Sequence, residues 1–90
     1  MSFAPRVLNK HKDKLTERAI YIGRPSKWGN PFAIGKHGTR EEVVVKYRAW
    51  LSGNSELMES ARKELKGRDL VCFCAPLMCH GDVLLEIANL

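Results

Sequence analysis

The run Asp69-Leu70-Val71-Cys72-Phe73-Cys74, late in the chain, has the apolar, β-branched and aromatic composition of a buried strand that breaks before Pro76. A similar run, Ala19-Ile20-Tyr21-Ile22, lies much earlier and ends at Gly23. The segment between them is long enough for a helical crossover, which joins parallel neighbours in a sheet. The two runs therefore predict neighbouring parallel strands and an α/β fold.

The segment between these strands carries the pattern of two consecutive helices. Thr39 and Glu42 have the spacing of a capping box at the start of the first helix, and Gly53 ends it. Apolar residues then repeat at helical spacing and predict one buried face. The members of that face are Val43, Val44, Tyr47, Trp50 and Leu51.

Three further elements complete the predicted order of strand, strand, helix, helix, strand, helix. A short apolar-centred strand covers Arg6–Asn9, and the second helix runs from a cap at Asn54 or Ser55 to Gly67. The last helix spans about Gly81–Asn89. We expect a small layered α/β fold with a short, mostly parallel sheet and about three helices.

Length and composition indicate one ordinary globular domain over residues 1–90. The chain is 44% hydrophobic and 28% charged, and no apolar run approaches the roughly 20 residues that cross a bilayer. The N-terminus lacks the apolar segment of a secretory signal, so we expect a cytoplasmic protein with no membrane contact. The core of so short a chain is thin, which makes a homodimer a reasonable expectation.

The chain carries a formal net charge of +5, which has two interpretations. A basic balance favours a partner that is polyanionic or bears phosphate. It is equally typical of a solvated surface on a small basic protein. Part of the charge is local, in a stretch that contains Arg6, Lys10, Lys12, Lys14 and Arg18.

The predicted topology joins two distant segments into one candidate site. Ligands of parallel sheets bind beyond the carboxyl ends of the strands. Here those ends are followed by the Gly23–Phe32 loop and the Ala75–His80 turn. We therefore expect the loop and the Cys72–Asp82 segment to form one pocket.

The Gly23–Phe32 loop collects residues suited to a nucleotide or a phosphorylated sugar. Arginine and lysine can hold the anionic part, small and amide side chains can add hydrogen bonds, and Trp28 can stack on a flat ring. Alternatively, Trp28 and Phe32 form a hydrophobic plug under the loop, and Arg40 belongs to an ordinary helix start. The predicted ligand-binding residues are Gly23, Arg24, Ser26, Lys27, Trp28, Asn30 and Arg40.

The Cys72–Asp82 segment leaves three interpretations open. Zinc would use Cys72, Cys74, Cys79 and His80, which are suitable ligands at an unusual spacing. A reactive site would instead use Cys79, His80 and Asp82 as catalytic residues at a helix start, where a thiolate is stabilised. In the third, Cys72 and Cys74 are small buried hydrophobes and Asp82 is only a cap.

Long motifs in both segments resemble a family of uncharacterised proteins. They are YIGRPSKWGNPF at Tyr21–Phe32, CFCAP at Cys72–Pro76 and CHGD at Cys79–Asp82, with GTREE at Gly38–Glu42. These motifs are similar to those of domain-of-unknown-function family 4326, found in bacteriophage and bacterial genomes. The resemblance covers nearly the whole chain. It implies a compact stand-alone domain of phage origin, which would lie in the cytoplasm of the host cell, and it implies no established activity.

The residues support two main functional hypotheses. The first is a protein that binds a small, anionic, nucleotide-like or phosphorylated molecule, as a hydrolase, a glycosyl-transferring enzyme or a ligand-sequestering phage protein. The alternative is a basic nucleic-acid-binding module, with zinc as one means of stabilising it. A host-interaction protein, with Trp28 as an interface anchor, is a third hypothesis. Whether the protein is an enzyme stays open at this stage.

Overall fold

The computed structural model describes residues 5–15, 17–75 and 77–90. Its elements follow the predicted order, with three strands and three helices among the described residues. Pro76, which the sequence predicts to follow the third strand, lies outside the described residues. The elements are β1 (Val7–Asn9), β2 (Ile20–Tyr21), α1 (Arg40–Ser52), α2 (Ser55–Glu64), β3 (Leu70–Cys72) and α3 (His80–Ala88).

The three strands form one parallel sheet in the order β1-β3-β2. In the central strand, Leu70 is level with Val7 of β1 and with Ile20 of β2. The predicted parallel pairing of the two apolar runs is therefore confirmed, with β2 only half-buried at the edge of the sheet. The central strand β3 has hydrogen-bonded neighbours on both edges and packs against α3, and all three of its residues are buried.

The helices pack around α3, which contacts α1, α2, β1 and β3. Leu84 and Val83 of α3 meet Tyr47 and Leu51 of α1 in one apolar cluster, and all four are almost fully buried. None of the helices among the described residues has the length and apolarity that a membrane span requires. The molecule is a small α/β domain, as the sequence predicts.

Two burial predictions are wrong in detail. The helical spacing predicts Trp50 on the buried face of α1, but it lies at the edge of that face, with 36% of its surface exposed and its ring against Tyr47. The apolar run predicts Cys74 inside a strand, but β3 ends at Cys72, so Cys74 is only half-buried. In both cases apolar residues at the margin of a thin core are only partly covered.

The close approach of α3 to the sheet depends on Gly81. A Cβ at this position would lie 2.9 Å from Cδ1 of Ile22 and 3.1 Å from Cγ1 of Val7. Ile22 is fully buried and cannot move aside easily. We expect Gly81→Ala to lower the free energy of unfolding by about 1–3 kcal/mol, as overpacking does, measured by urea denaturation.

Gly53→Ala is the matched control for that substitution. Gly53 has an ordinary helical φ of −85°, and a Cβ there would lie 3.6 Å from its nearest neighbour, the carbonyl oxygen of Trp50. The unfolding free energy of this variant should stay within about 0.5 kcal/mol of the parent. Equal losses in the two variants would contradict the close packing of α3 on the sheet.

Candidate functional site

A cavity of about 310 Å³ opens at the carboxyl ends of β2 and β3. Its lining includes Gly23 and Arg24 from the loop after β2, and Cys72, Cys79 and His80 from the segment around the start of α3. The structure thus brings together parts of both segments that the sequence joins into one site. Whether this cavity binds a ligand stays a prediction.

Among the described residues that line the cavity, the charged ones are two arginines. Arg24 is exposed and makes no hydrogen bond or ion pair from its guanidinium to another described residue. Arg40 lies at the start of α1, where its Nη1 donates to the carbonyl of Met78 over 3.2 Å. No carboxylate of a described residue lines the cavity, so its charge is positive.

The backbone of Arg24 is fixed by close contacts within its own loop. The hydroxyl of Tyr21 donates to the carbonyl of Arg24 over 2.9 Å. A Cβ at Gly29 would come within 3.1 Å of the Arg24 Cα, so a glycine is needed where the loop folds back on itself. The guanidinium therefore extends from an anchored backbone, beside the cavity.

Lys27 and Trp28 face away from the cavity. Nζ of Lys27 lies 2.7 Å from a carboxylate oxygen of Glu64 on α2 and 4.8 Å from the centre of the Trp28 ring. Trp28 is buried, with 4% of its surface exposed, and its carbonyl accepts a hydrogen bond from Tyr47. These two predicted binding residues therefore lie outside the cavity lining: the loop folds back on α1 and α2, and Trp28 plugs the core beneath it.

The two neutral polar residues predicted for binding have different placements. Asn30 lines the cavity, but its amide donates to the carbonyl of Val43 and its Oδ1 accepts from the N–H of Phe32. Those bonds tie the loop to α1 and occupy the side chain. Ser26 does not line the cavity, and its buried hydroxyl has no hydrogen-bond partner among the described residues.

Aromatic rings that the sequence prediction does not assign to the site line the cavity. Phe73 is 47% exposed, and its ring centre lies 5.8 Å from that of Tyr21, with Lys10 placed over both rings. Phe32 also lines the cavity. The sequence feature that could have indicated Phe73 is its position directly after the central strand. It can be used only when the end of that strand is known to be Cys72.

Cys72 and Cys79 meet at the cavity through their sulfur atoms, which lie 3.3 Å apart. The hydrogen bond from Cys79 lowers the pKa of the Cys72 thiol, and N–H groups of Cys74 and Ala75 act in the same direction. The same sulfur contact, with burial, raises the pKa of Cys79. Cys79 also caps α3, where its sulfur accepts from the N–H of Gly81.

The predicted zinc set is not assembled by this geometry. Within the described part of the chain, no three His, Cys, Asp or Glu residues are grouped so that they could hold a metal ion. Cys72 and Cys79 contact each other, but Nε2 of His80 is 2.8 Å from the carbonyl of Ile22 instead. The adjacent position of Cys79 and His80 in one helix start directs the two side chains to different partners.

His80 is buried and held in one tautomer. Burial lowers the pKa of its imidazole, so the ring is neutral near pH 7. Because the Ile22 carbonyl can only accept, Nε2 carries the proton and Nδ1 is left as an acceptor. The imidazole and the ring of Tyr47 meet in a T-shaped arrangement, with their centres 5.0 Å apart.

The sequence predicts that Asp82 orients His80 or acts as an acid or base. In the structure, its side chain caps the start of α3. Its carboxylate accepts from the N–H of Cys79 over 3.1 Å and completes a capping box. The side chain is exposed, and Asp82 does not line the cavity. The carbonyl of Ile22 orients His80 in its place.

The burial of neutral His80 predicts a pH-dependent stability. The folded-state pKa lies below the unfolded value, so the unfolded chain takes up a proton first as the pH falls. The contribution of neutral His80 to the free energy of unfolding should be fully present above about pH 6.5 and decrease below it. The slope of the unfolding free energy against pH should correspond to the uptake of less than one proton. Urea denaturation at a series of pH values measures this, and in His80→Gln, which can still donate to Ile22, the decrease between neutral and mildly acid pH should be smaller. The same slope in both proteins would contradict the assignment.

Comparisons with known proteins identify the family of this chain. It is 34% identical to an uncharacterized 12.4 kDa protein from the nrdA-td intergenic region of Enterobacteria phage T4, covering 93% of this chain and 77% of that protein. An uncharacterized protein of Acanthamoeba polyphaga mimivirus is 30% identical, over 94% of this chain and 78% of its own length. No solved structure matches the chain. The family model of the domain of unknown function DUF4326 matches residues 7–90, and the chain therefore belongs to this family.

Proposed function

We propose that the protein binds a small nucleotide-like or phosphorylated molecule in the cavity between the Gly23–Phe32 loop and the start of α3. The observation that supports this proposal most is that Arg24 and Arg40 line the same cavity. No carboxylate is found among the described residues of its lining. A concave site with a few convergent polar groups and aromatic walls is typical of small-ligand sites.

The anionic part of the ligand would lie between the two arginines. The guanidinium of Arg24 is unpaired among the described residues, and Arg40 uses only Nη1 for the Met78 carbonyl. Both groups can therefore still donate to phosphate oxygens. The starts of α1 and α3 also face this cavity, but acidic caps at Glu42 and Asp82 reduce the positive field of each. The arginines are thus the main source of anion affinity.

The flat part of the ligand would contact the aromatic residues of the lining. Phe73 presents nearly half of its surface, and Phe32 and Tyr21 add apolar area. These rings take the role that the sequence assigned to Trp28. The cavity of about 310 Å³ is at the lower end of the sizes found for small-molecule sites, which favours a mononucleotide or sugar phosphate over a dinucleotide.

A catalytic role for this site is a separate step of the proposal. Nδ1 of His80 is available as a base or acceptor beside the cavity, and Cys79 has its sulfur there. Asp82 contributes through the cap of α3. A hydrolase or glycosyl-transferring enzyme would use His80 on the bound ligand, whereas a ligand-sequestering protein would need only the arginines and the rings.

Calorimetric titration with the four ribonucleoside 5′-monophosphates, ribose 5-phosphate and inorganic phosphate tests the binding. We expect at least one of the organic phosphates to bind, and Arg24→Ala to weaken that binding about tenfold or more. A charge-assisted hydrogen bond of about 1.5–3 kcal/mol is lost in this variant. Arg40→Ala should weaken it in the same direction.

Lys27→Ala is the matched control, because it removes one positive charge from the same loop. Its ammonium pairs with Glu64 outside the cavity, so the affinity should be unchanged. Equal weakening in Arg24→Ala and Lys27→Ala would indicate only a general charge effect. That result, or no binding of any of these compounds at millimolar concentration, would contradict the proposal.

A specific contact also favours the second candidate, a nucleic-acid-binding module. Lys10 belongs to the basic N-terminal stretch and lies over the rings of Tyr21 and Phe73, while His11 contacts Phe73 with 5.1 Å between ring centres. Exposed aromatic rings beside lysines are the features that bind single strands through stacking and phosphate contacts. The described residues do not assemble a group of ligands through which zinc would stabilise this module.

Fluorescence anisotropy of a labelled single-stranded oligonucleotide tests this candidate. Affinity should fall steeply with salt, and Lys10→Ala should reduce the slope of log affinity against log salt by about 0.7, the value for one phosphate contact on a single strand. Lys63→Ala, whose ammonium pairs with Glu59 on α2, should leave the slope unchanged. A salt-independent affinity would contradict this candidate.

A further inference from the structure

The cavity contains a second chemical feature that ligand binding does not use, a pair of thiols in direct contact. Cys72 ends the central strand and Cys79 begins α3, and their sulfurs are 3.3 Å apart. Both residues line the cavity and expose 4% or less of their surface. A reagent small enough to enter the cavity would therefore meet both sulfurs at once, whereas a large one would be excluded.

The two sulfurs are not equivalent. Cys72 receives the hydrogen bond of the Cys79 thiol and lies near the N–H groups of Cys74 and Ala75, all of which favour the thiolate. Cys79 keeps its proton, because its hydrogen bond to Cys72 and its burial both raise the pKa of its thiol. Burial also raises the pKa of Cys72, but there the hydrogen bonds outweigh it. The charge of Asp82, which lies outside the cavity lining, raises the pKa of both thiols. The charged groups on the cavity itself are Arg24 and Arg40.

We propose that Cys72 and Cys79 form a redox site that reacts with hydrogen peroxide and closes to an intramolecular disulfide. The Cys72 sulfur attacks one peroxide oxygen, the O–O bond breaks, and the departing hydroxide takes up the proton that the Cys72 thiol released and becomes water. Cys72 is then a sulfenic acid. The Cys79 sulfur attacks it, the S–S bond forms, the S–O bond breaks, and the hydroxyl leaves as water with the Cys79 proton. Two thiols are oxidised, and the peroxide is reduced to two waters.

The contact geometry explains why the second step follows the first. A disulfide has its sulfurs about 2.05 Å apart, so the resolving thiol needs to move by little more than an ångström. Cys74, the third cysteine, belongs to the turn after β3 and makes no hydrogen bond to either sulfur through its side chain within the described part of the chain. The site is therefore a specific pair within a group of three cysteines. This inference does not depend on the identity of the ligand proposed above.

Intact mass spectrometry after treatment with hydrogen peroxide tests the proposal. We expect the monomer to lose about 2 Da, the two hydrogens removed when a disulfide forms. Free thiols are then alkylated with iodoacetamide and the protein is digested with chymotrypsin. Cleavage after Phe73 and Met78 separates the three cysteines, so the map should show Cys72 linked to Cys79 and Cys74 alkylated.

Cys74→Ser is the matched control and should still lose about 2 Da, whereas Cys72→Ser and Cys79→Ser should not. The peptide map of the parent protein decides the question even if a buried variant fails to fold. Oxidation in urea should give a mixture of pairings, because the folded contact is lost. Disulfides that involve Cys74, oxygen addition without a disulfide, or no reaction under conditions that oxidise free cysteine would each overturn the proposal.

Discussion

The packing of the first turn of α3 against the strand ends is the constraint on which the rest of the structure depends. His80 donates from Nε2 to the carbonyl of Ile22, just after β2. Gly81 lets the helix come within side-chain contact of Ile22 and Val7, and Cys79 places its sulfur against that of Cys72. Together these contacts fix the helix start to all three strands, and the cavity is the space left beside them.

The path of the Gly23–Phe32 loop separates charges that stabilise the fold from charges that are available for binding. Lys27 and Arg24 are three residues apart in one loop, but Lys27 pairs with Glu64 and covers the ring of Trp28. Arg24 remains at the cavity because its backbone is held by Tyr21 and by the close approach of Gly29. The loop has the composition of a phosphate site, but only one of its two cationic side chains is available for binding. The other, Lys27, stabilises the fold. The positive charge of the cavity comes from residues on two different elements, Arg24 and Arg40.

Local patterns in the sequence are sufficient to predict the framework. The two apolar runs and the crossover between them predict the parallel pairing, and Thr39 with Glu42 predicts the capping box that begins α1. Topology then predicts that the loop and the Cys72–Asp82 segment meet. These features depend on composition, short spacings and chain connectivity, which a sequence displays directly.

The details of the site depend on contacts that a sequence does not display. Lys27 meets Glu64 across 37 positions, and nothing in either neighbourhood indicates that pairing. The burial of Trp28 follows from the path of an irregular loop, and the exposure of Phe73 follows from a strand that ends at Cys72. The contact of Cys72 with Cys79 depends on the direction in which α3 begins. The spacing of the cysteines alone therefore does not decide between a zinc site, a reactive site and buried core residues.

The central claim is that the cavity holds an anionic group between Arg24 and Arg40, and backbone NMR of the labelled protein tests it most directly. Titration of a nucleoside monophosphate that binds in calorimetry should shift the amide signals of Gly23, Arg24, Arg40 and His80, and those of Lys27 and the α2 residues should stay in place. The corresponding nucleoside, without phosphate, should cause smaller shifts around the arginines. Shifts centred on α2 or spread over the whole surface would contradict the claim.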